Sequence, residues 1–80
     1  MLITITTDGG FTGRGIGTRS ADVDDEIVAR ALSEEWRDEY QARGADLVRY
    51  TVHVGSRIVS FTDEAEIPPG LRELYELVWG

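Results

Sequence analysis

Four carboxylates, Glu34, Glu35, Asp38 and Glu39, stand close together in the middle of the chain, with one histidine, His53, further on and no cysteine anywhere. Paired carboxylates are the groups of general acid–base chemistry and of hard-cation binding, and a histidine is the usual proton carrier near neutral pH. Zinc sites need several thiolates or imidazoles at set spacings, which one histidine and no cysteine cannot supply. Nor can a nucleophile, a base and an oxyanion site be assembled from these residues. The carboxylates recur instead on the outer side of an amphipathic helix pattern, with Arg30, Arg37 and Arg43 in reach as salt partners. Alternation puts His53 among hydroxyls on a solvated strand face, far from a group that would make it a base. The chain therefore reads as a protein that is not an enzyme and takes no metal or cofactor.

A different stretch carries residues beyond what a fold requires. Asp8-Gly9-Gly10-Phe11-Thr12-Gly13-Arg14-Gly15 places four glycines and one aromatic at what must be a hairpin tip, since Met1 to Thr7 alternates as a strand does and Ile16 to Ser20 tolerates β structure. Glycine admits positive φ and lets backbone lie close against another surface. A loop at Gly9-Gly10 sets Ile3 opposite Ile16, whereas a loop at Asp8-Gly9 loses that apolar pair, so the first register is expected. Two arrangements are open to Phe11, folding back onto the core or projecting into a partner's pocket.

The elements that hold this tip follow from period and punctuation. Ser20 to Glu26 has the acidic, cap-forming composition of a helix start, and Val28, Ala31, Leu32, Trp36 and Tyr40 continue a helical stripe, which predicts a helix over Asp24 to Gln41 ended by Gly44. Leu47 to Val54 and Arg57 to Thr62 form a hairpin on Gly55-Ser56, a type II′ signature that sets Val52 opposite Val59 and Tyr50 opposite Phe61. Val48, Tyr50, Val52, Val59 and Phe61 then share the core face, and Arg49, Thr51, His53, Ile58, Ser60 and Thr62 the other. Pro68-Pro69 opens a last helix with Leu71, Leu74, Tyr75 and Val78 inward. Leu77 and Trp79 lie off that stripe, either covered by the first helix or offered to a second copy. The expected core joins Tyr50, Val52, Val59, Phe61, Leu32, Trp36, Leu74 and Val78.

These elements make one domain, residues 1–80, of the α+β class. The order is ββαββα, a four-stranded mainly antiparallel sheet with two helices packed on one face as an open-faced sandwich. A β-grasp order, with the first strand central and parallel to the last, has the same sequence of elements and stays open. Fifteen acidic residues against eight arginines give a net charge of −7, which opposes nucleic acid and favours basic partners or solubility. No apolar run approaches the length of a membrane span and no leader pattern opens the chain, so a cytoplasmic, soluble protein is expected, more simply a monomer.

Ile3 to Gly13, with its Gly-Gly-Phe-x-Gly tip, Tyr50 to Phe61, and the Pro-Pro-x-Leu-x-x-Leu run within Pro68 to Trp79 occur in an order that resembles the emfourin family of bacterial protealysin inhibitors. The three stretches span about half the chain. The resemblance implies a reversible inhibitor of thermolysin-like zinc metallopeptidases whose partner-binding residues are Asp8, Gly9, Gly10, Phe11, Thr12, Gly13 and Arg14. Inhibition would come from occlusion of the cleft, with Asp8 the tip carboxylate able to approach the enzyme's metal. The alternative is a β-grasp-like adaptor that uses the bare sheet face around Arg49, His53 and Ile58.

Overall fold

The computed structural model describes residues 1–7, 17–43, 48–63 and 65–80. Gly55 takes φ +61° while Ser56 keeps a negative φ, so their turn is of the II′ kind. It joins the two longer strands of the chain's second half, β4 (Arg49–Val54) and β5 (Arg57–Thr62), numbered in chain order. The register is the expected one, with Val54 opposite Arg57, Val52 opposite Val59 and Tyr50 opposite Phe61.

The first hairpin pairs β1 (Leu2–Thr7) with β2 (Gly17–Asp22). Neither short-loop register forms: Ile3 lies opposite Ala21, Ile5 opposite Arg19 and Thr7 opposite Gly17. Side-chain matching accounts for this register. On one face Thr4 shares a hydrogen bond with Ser20 (2.9 Å) and Thr6 with Thr18 (3.3 Å). On the other, the Arg19 guanidinium stacks 4.6 Å from the Trp79 ring centre and donates to the Trp79 carbonyl (2.8 Å). A slipped register would lose both sets.

Helix α1 spans Asp25–Leu32, not the longer helix that the spacing of Trp36 and Tyr40 predicts. Its start is as expected, since the Asp24 carboxylate caps it by accepting from the Glu26 N–H (2.8 Å). Its end is set by local hydrogen bonds together with one long-range partner. The Ser33 hydroxyl donates to the Arg30 carbonyl, and the Glu34 carboxylate turns away to accept from the Gly70 N–H (3.1 Å) and from the Trp36 indole (3.2 Å). Beyond it Glu39–Tyr40 forms a short β3 that pairs parallel with β5 at Ser60 and Phe61. Gly44 therefore does not end this helix, and it lies outside the described residues along with Leu47.

Helix α2 (Pro69–Val78) begins at Pro68, which has no side chain to cap it. Glu34 supplies the missing acceptor from across the helix pair, at the positive end of α2 where a carboxylate is favoured. The approach requires glycine: a Cβ on Gly70 would stand 2.8 Å from the Ala31 Cα.

Among the described residues the sheet has five strands in the order β2-β1-β4-β5-β3. It is an α+β fold, and the fifth strand is the addition to the expected four. β1 is central but antiparallel to β4 and not a neighbour of β5, which excludes the β-grasp order. Ile3, Ile5, Val52, Val54, Val59 and Phe61 meet Val28, Ala31, Leu71 and Leu74 in one core, so both helices cover the same face. Of the expected core, Tyr50, Trp36 and Val78 are half-buried against that cluster. Leu32 is 41% exposed because the helix ends there and its side faces away. Thr62, expected on the open face in solvent, is buried beneath the segment after β3, where its hydroxyl accepts from the Ala42 N–H (2.9 Å). No helix among the described residues is long and apolar enough to cross a membrane.

Candidate functional site

Asp8, Gly9, Gly10, Phe11, Thr12, Gly13 and Arg14 lie outside the described residues. Their roots do not. β1 is hydrogen-bonded on both sides, to β2 and to β4, up to Thr7, so the segment starts from a strand fixed within the sheet.

The last layer of the core face below that root is aromatic. Thr7 stands beside Tyr50 in the register, Tyr50 beside Phe61, and Phe61 beside Tyr40. The Tyr50 ring stacks on Phe61 (5.2 Å between centres) and receives Tyr75 and Trp79 edge-on at 5.0 and 5.8 Å from the end of α2. Burial, aided by the neighbouring Tyr75, pushes the Tyr50 phenol up to about 12. Thr7 is 3% exposed and its hydroxyl has no hydrogen-bond partner. Arg19 completes the layer on the β2 side, over Trp79. Such an arrangement is a stiff footing, because interlocked rings leave few rotamers for the strand ends above them.

The sequence identifies Tyr50 and Phe61 as partners and Trp79 as apolar surface with something to cover. It misses Arg19, because only the true β1–β2 register carries Arg19 to the Trp79 side. No local signal could have shown it.

The carboxylates that suggested chemistry are dispersed. Glu34 caps α2, Asp38 pairs with Arg57 (3.3 Å) and Glu39 with Arg49 (3.1 Å), while Arg30 reaches Glu73 instead of its own helix. These are cross-element contacts, not the same-helix pairs that the spacing predicts. Among the described residues no three histidine, cysteine, aspartate or glutamate side chains stand close enough to hold a metal ion. His53 lies half-buried on the open face of the sheet, beside Thr4 and Ile58 in the register. That face is lined by hydroxyls, with Thr51 and Ser60 sharing a further hydrogen bond (3.4 Å) and Leu2 and Ile58 as exposed apolar residues.

The chain matches no family model, no curated protein and no solved structure.

Proposed function

We propose that this chain is a cytoplasmic, reversible protein inhibitor of thermolysin-like zinc metallopeptidases, and that residues 8–14 occlude the enzyme's cleft. The observation that carries the reading is the Gly-Gly-Phe-x-Gly run itself, set between β1 and β2, which pair with each other from Leu2–Asp22 to Thr7–Gly17. A connection of two residues would close a hairpin. The remainder is composed as a binding segment is: glycines for close backbone approach, one bulky apolar side chain and one arginine. The order of motifs shared with the emfourin family supplies the target class.

A segment anchored at both ends by a sheet gives up less entropy on binding than a free peptide, so affinity does not demand a large interface. Inhibition of this kind involves no bond-making by the inhibitor. The enzyme's metal stays in place, and Asp8 is the tip residue whose chemistry suits a hard or borderline cation.

Titrating a purified thermolysin-like peptidase with the protein tests the proposal. Activity should fall in proportion to added protein and return on dilution. Full activity at a large molar excess, across several such enzymes, would remove the reading. It would promote the adaptor alternative, which the open hydroxyl face with Ile58 at its surface favours.

A further inference from the structure

The sheet ends on two unequal edges. At one, β3 offers two residues. At the other, β2 runs for six residues, with no proline, and Thr18, Arg19, Ser20 and Asp22 are exposed. The direction of its backbone groups follows from the pairing. Met1 and Val23 exchange both main-chain bonds, Val23 N–H to Met1 O at 2.8 Å and the Met1 amine to Val23 O at 2.7 Å. Bonded and non-bonded pairs alternate along an antiparallel ladder, so Ile3–Ala21, Ile5–Arg19 and Thr7–Gly17 are the bonded ones. The same assignment comes independently from the other side of the sheet. The two-residue turn makes Val54–Arg57 a bonded pair, which gives Thr51 and His53 to β1 and leaves Ile3, Ile5 and Thr7 for β2. Thr18, Ser20 and Asp22 therefore direct their N–H and C=O groups outward, and none has a backbone partner among the described residues. Unpaired edges of this length are usually blunted by proline, a bulge or a covering element.

We infer that this edge pairs with the β2 edge of a second copy, antiparallel about a two-fold axis through Ser20. That register sets Ser20 against Ser20 of the second copy and Thr18 against Asp22 of the second copy, so every outward residue of both strands is used. On the open face the Thr18 hydroxyl, a donor, meets the Asp22 carboxylate, an acceptor. Charge selects the direction. Antiparallel alignment sets each Asp22 against a hydroxyl of the other strand, whereas in-register parallel alignment would set Asp22 against Asp22 on the same face. The pairing is isologous, as a two-fold interface must be, and continues the sheet from one chain into the next.

Cross-linking and sedimentation test this on the full chain. No native cysteine is present, and bonded antiparallel neighbours stand about 5.5 Å apart at Cα, within disulfide reach. Ser20→Cys should oxidise to a covalent dimer, while Thr51→Cys, inside the sheet on β4, should not under the same conditions. Wild-type protein should sediment toward twice its 8.9 kDa chain mass as concentration rises. Ser20→Pro removes an outward N–H and no ladder bond, so it should keep the wild-type circular dichroism and associate roughly tenfold more weakly or worse. Should Ser20→Pro fail to fold, the Ser20→Cys cross-link decides. A wild-type monomer at every concentration with no Ser20→Cys dimer overturns the inference. So does a monomeric wild type in which Ser20→Pro weakens inhibition of a thermolysin-like peptidase, since the edge would then take the target's strand.

Discussion

The two hairpins of this sheet use the same device for opposite ends. β4 and β5 are joined by two residues, and the apolar side chains on their inner face, Val52, Val54, Val59 and Phe61, are spent on the core. β1 and β2 flank the glycine-rich residues 8–16, and their described ladder is held by Arg19 packing on Trp79 and by paired hydroxyls. The second hairpin makes the fold, and the first is held by it. The difference teaches where to look for function in a small domain: at the connection whose length and composition the strands do not explain.

The comparison breaks first, and most heavily, at Val52, which is fully buried and lies beside both Ile5 and Val59. Val52→Ala should cost about 1–3 kcal/mol in a denaturant titration, below the Leu→Ala range because fewer atoms are lost. Inhibition per folded molecule should be unchanged. An unaltered midpoint would mean that β4 does not tie the two hairpins together.

Gly55 sharpens the same contrast. Its φ of +61° is costly for any residue with a Cβ, so Gly55→Ala should lower stability by about 1–2 kcal/mol, read as a lower melting temperature. The tip of this hairpin is a structural turn, and the substitution should leave inhibition intact. A loss of affinity without a loss of stability would place part of the interface at the wrong hairpin.

Alkali probes the aromatic layer under the β1–β2 root. Burial holds Tyr50 neutral, with its phenol raised to about 12 from the ordinary 10.0. The unfolded chain therefore ionises first. The stabilisation from the neutral phenol is complete below pH 10 and is lost as pH rises toward 12. Stability should fall across that window in the wild type, and less steeply in Tyr50→Phe. Identical pH profiles for the two would show that Tyr50 is not the group that titrates.

The smallest effect is expected at His53. It lies half-buried on the open face beside Thr4 and Ile58, outside residues 8–14, so His53→Gln should leave inhibition unchanged. Loss of inhibition with the fold intact would transfer the interface to that face.

What could be read from residue order alone was whatever local chemistry decides. Gly55-Ser56 dictates its own turn, and the register of β4 and β5 follows from it. Asp24 and Pro68-Pro69 mark helix starts in the same local way. The length of α1 was illegible, because Trp36 and Tyr40 fall at helical spacing while their actual partners are distant. The Trp36 carbonyl accepts from Arg57 (2.8 Å), and Tyr40 sits in a β bridge to Phe61. Tertiary contacts outweigh a few tenths of a kcal/mol of propensity per residue. The β1–β2 register was hidden for a related reason, since the deciding contact runs from Arg19 to Trp79 at the far end of the chain. The tip composition and the Tyr50–Phe61 pair beneath it were legible, and the closing of that layer by Arg19 was not.

Phe11→Ala, with stability and inhibition measured on the same preparation, tests the central claim that residues 8–14 act on a partner and not on the fold. The account predicts a melting temperature close to that of the wild type and inhibition of a thermolysin-like peptidase weakened by about 2 kcal/mol, roughly thirtyfold, the scale of an interface hot spot. A loss of about 3 kcal/mol of stability, as for a core phenylalanine, with the remaining folded protein inhibiting at full affinity, would contradict it.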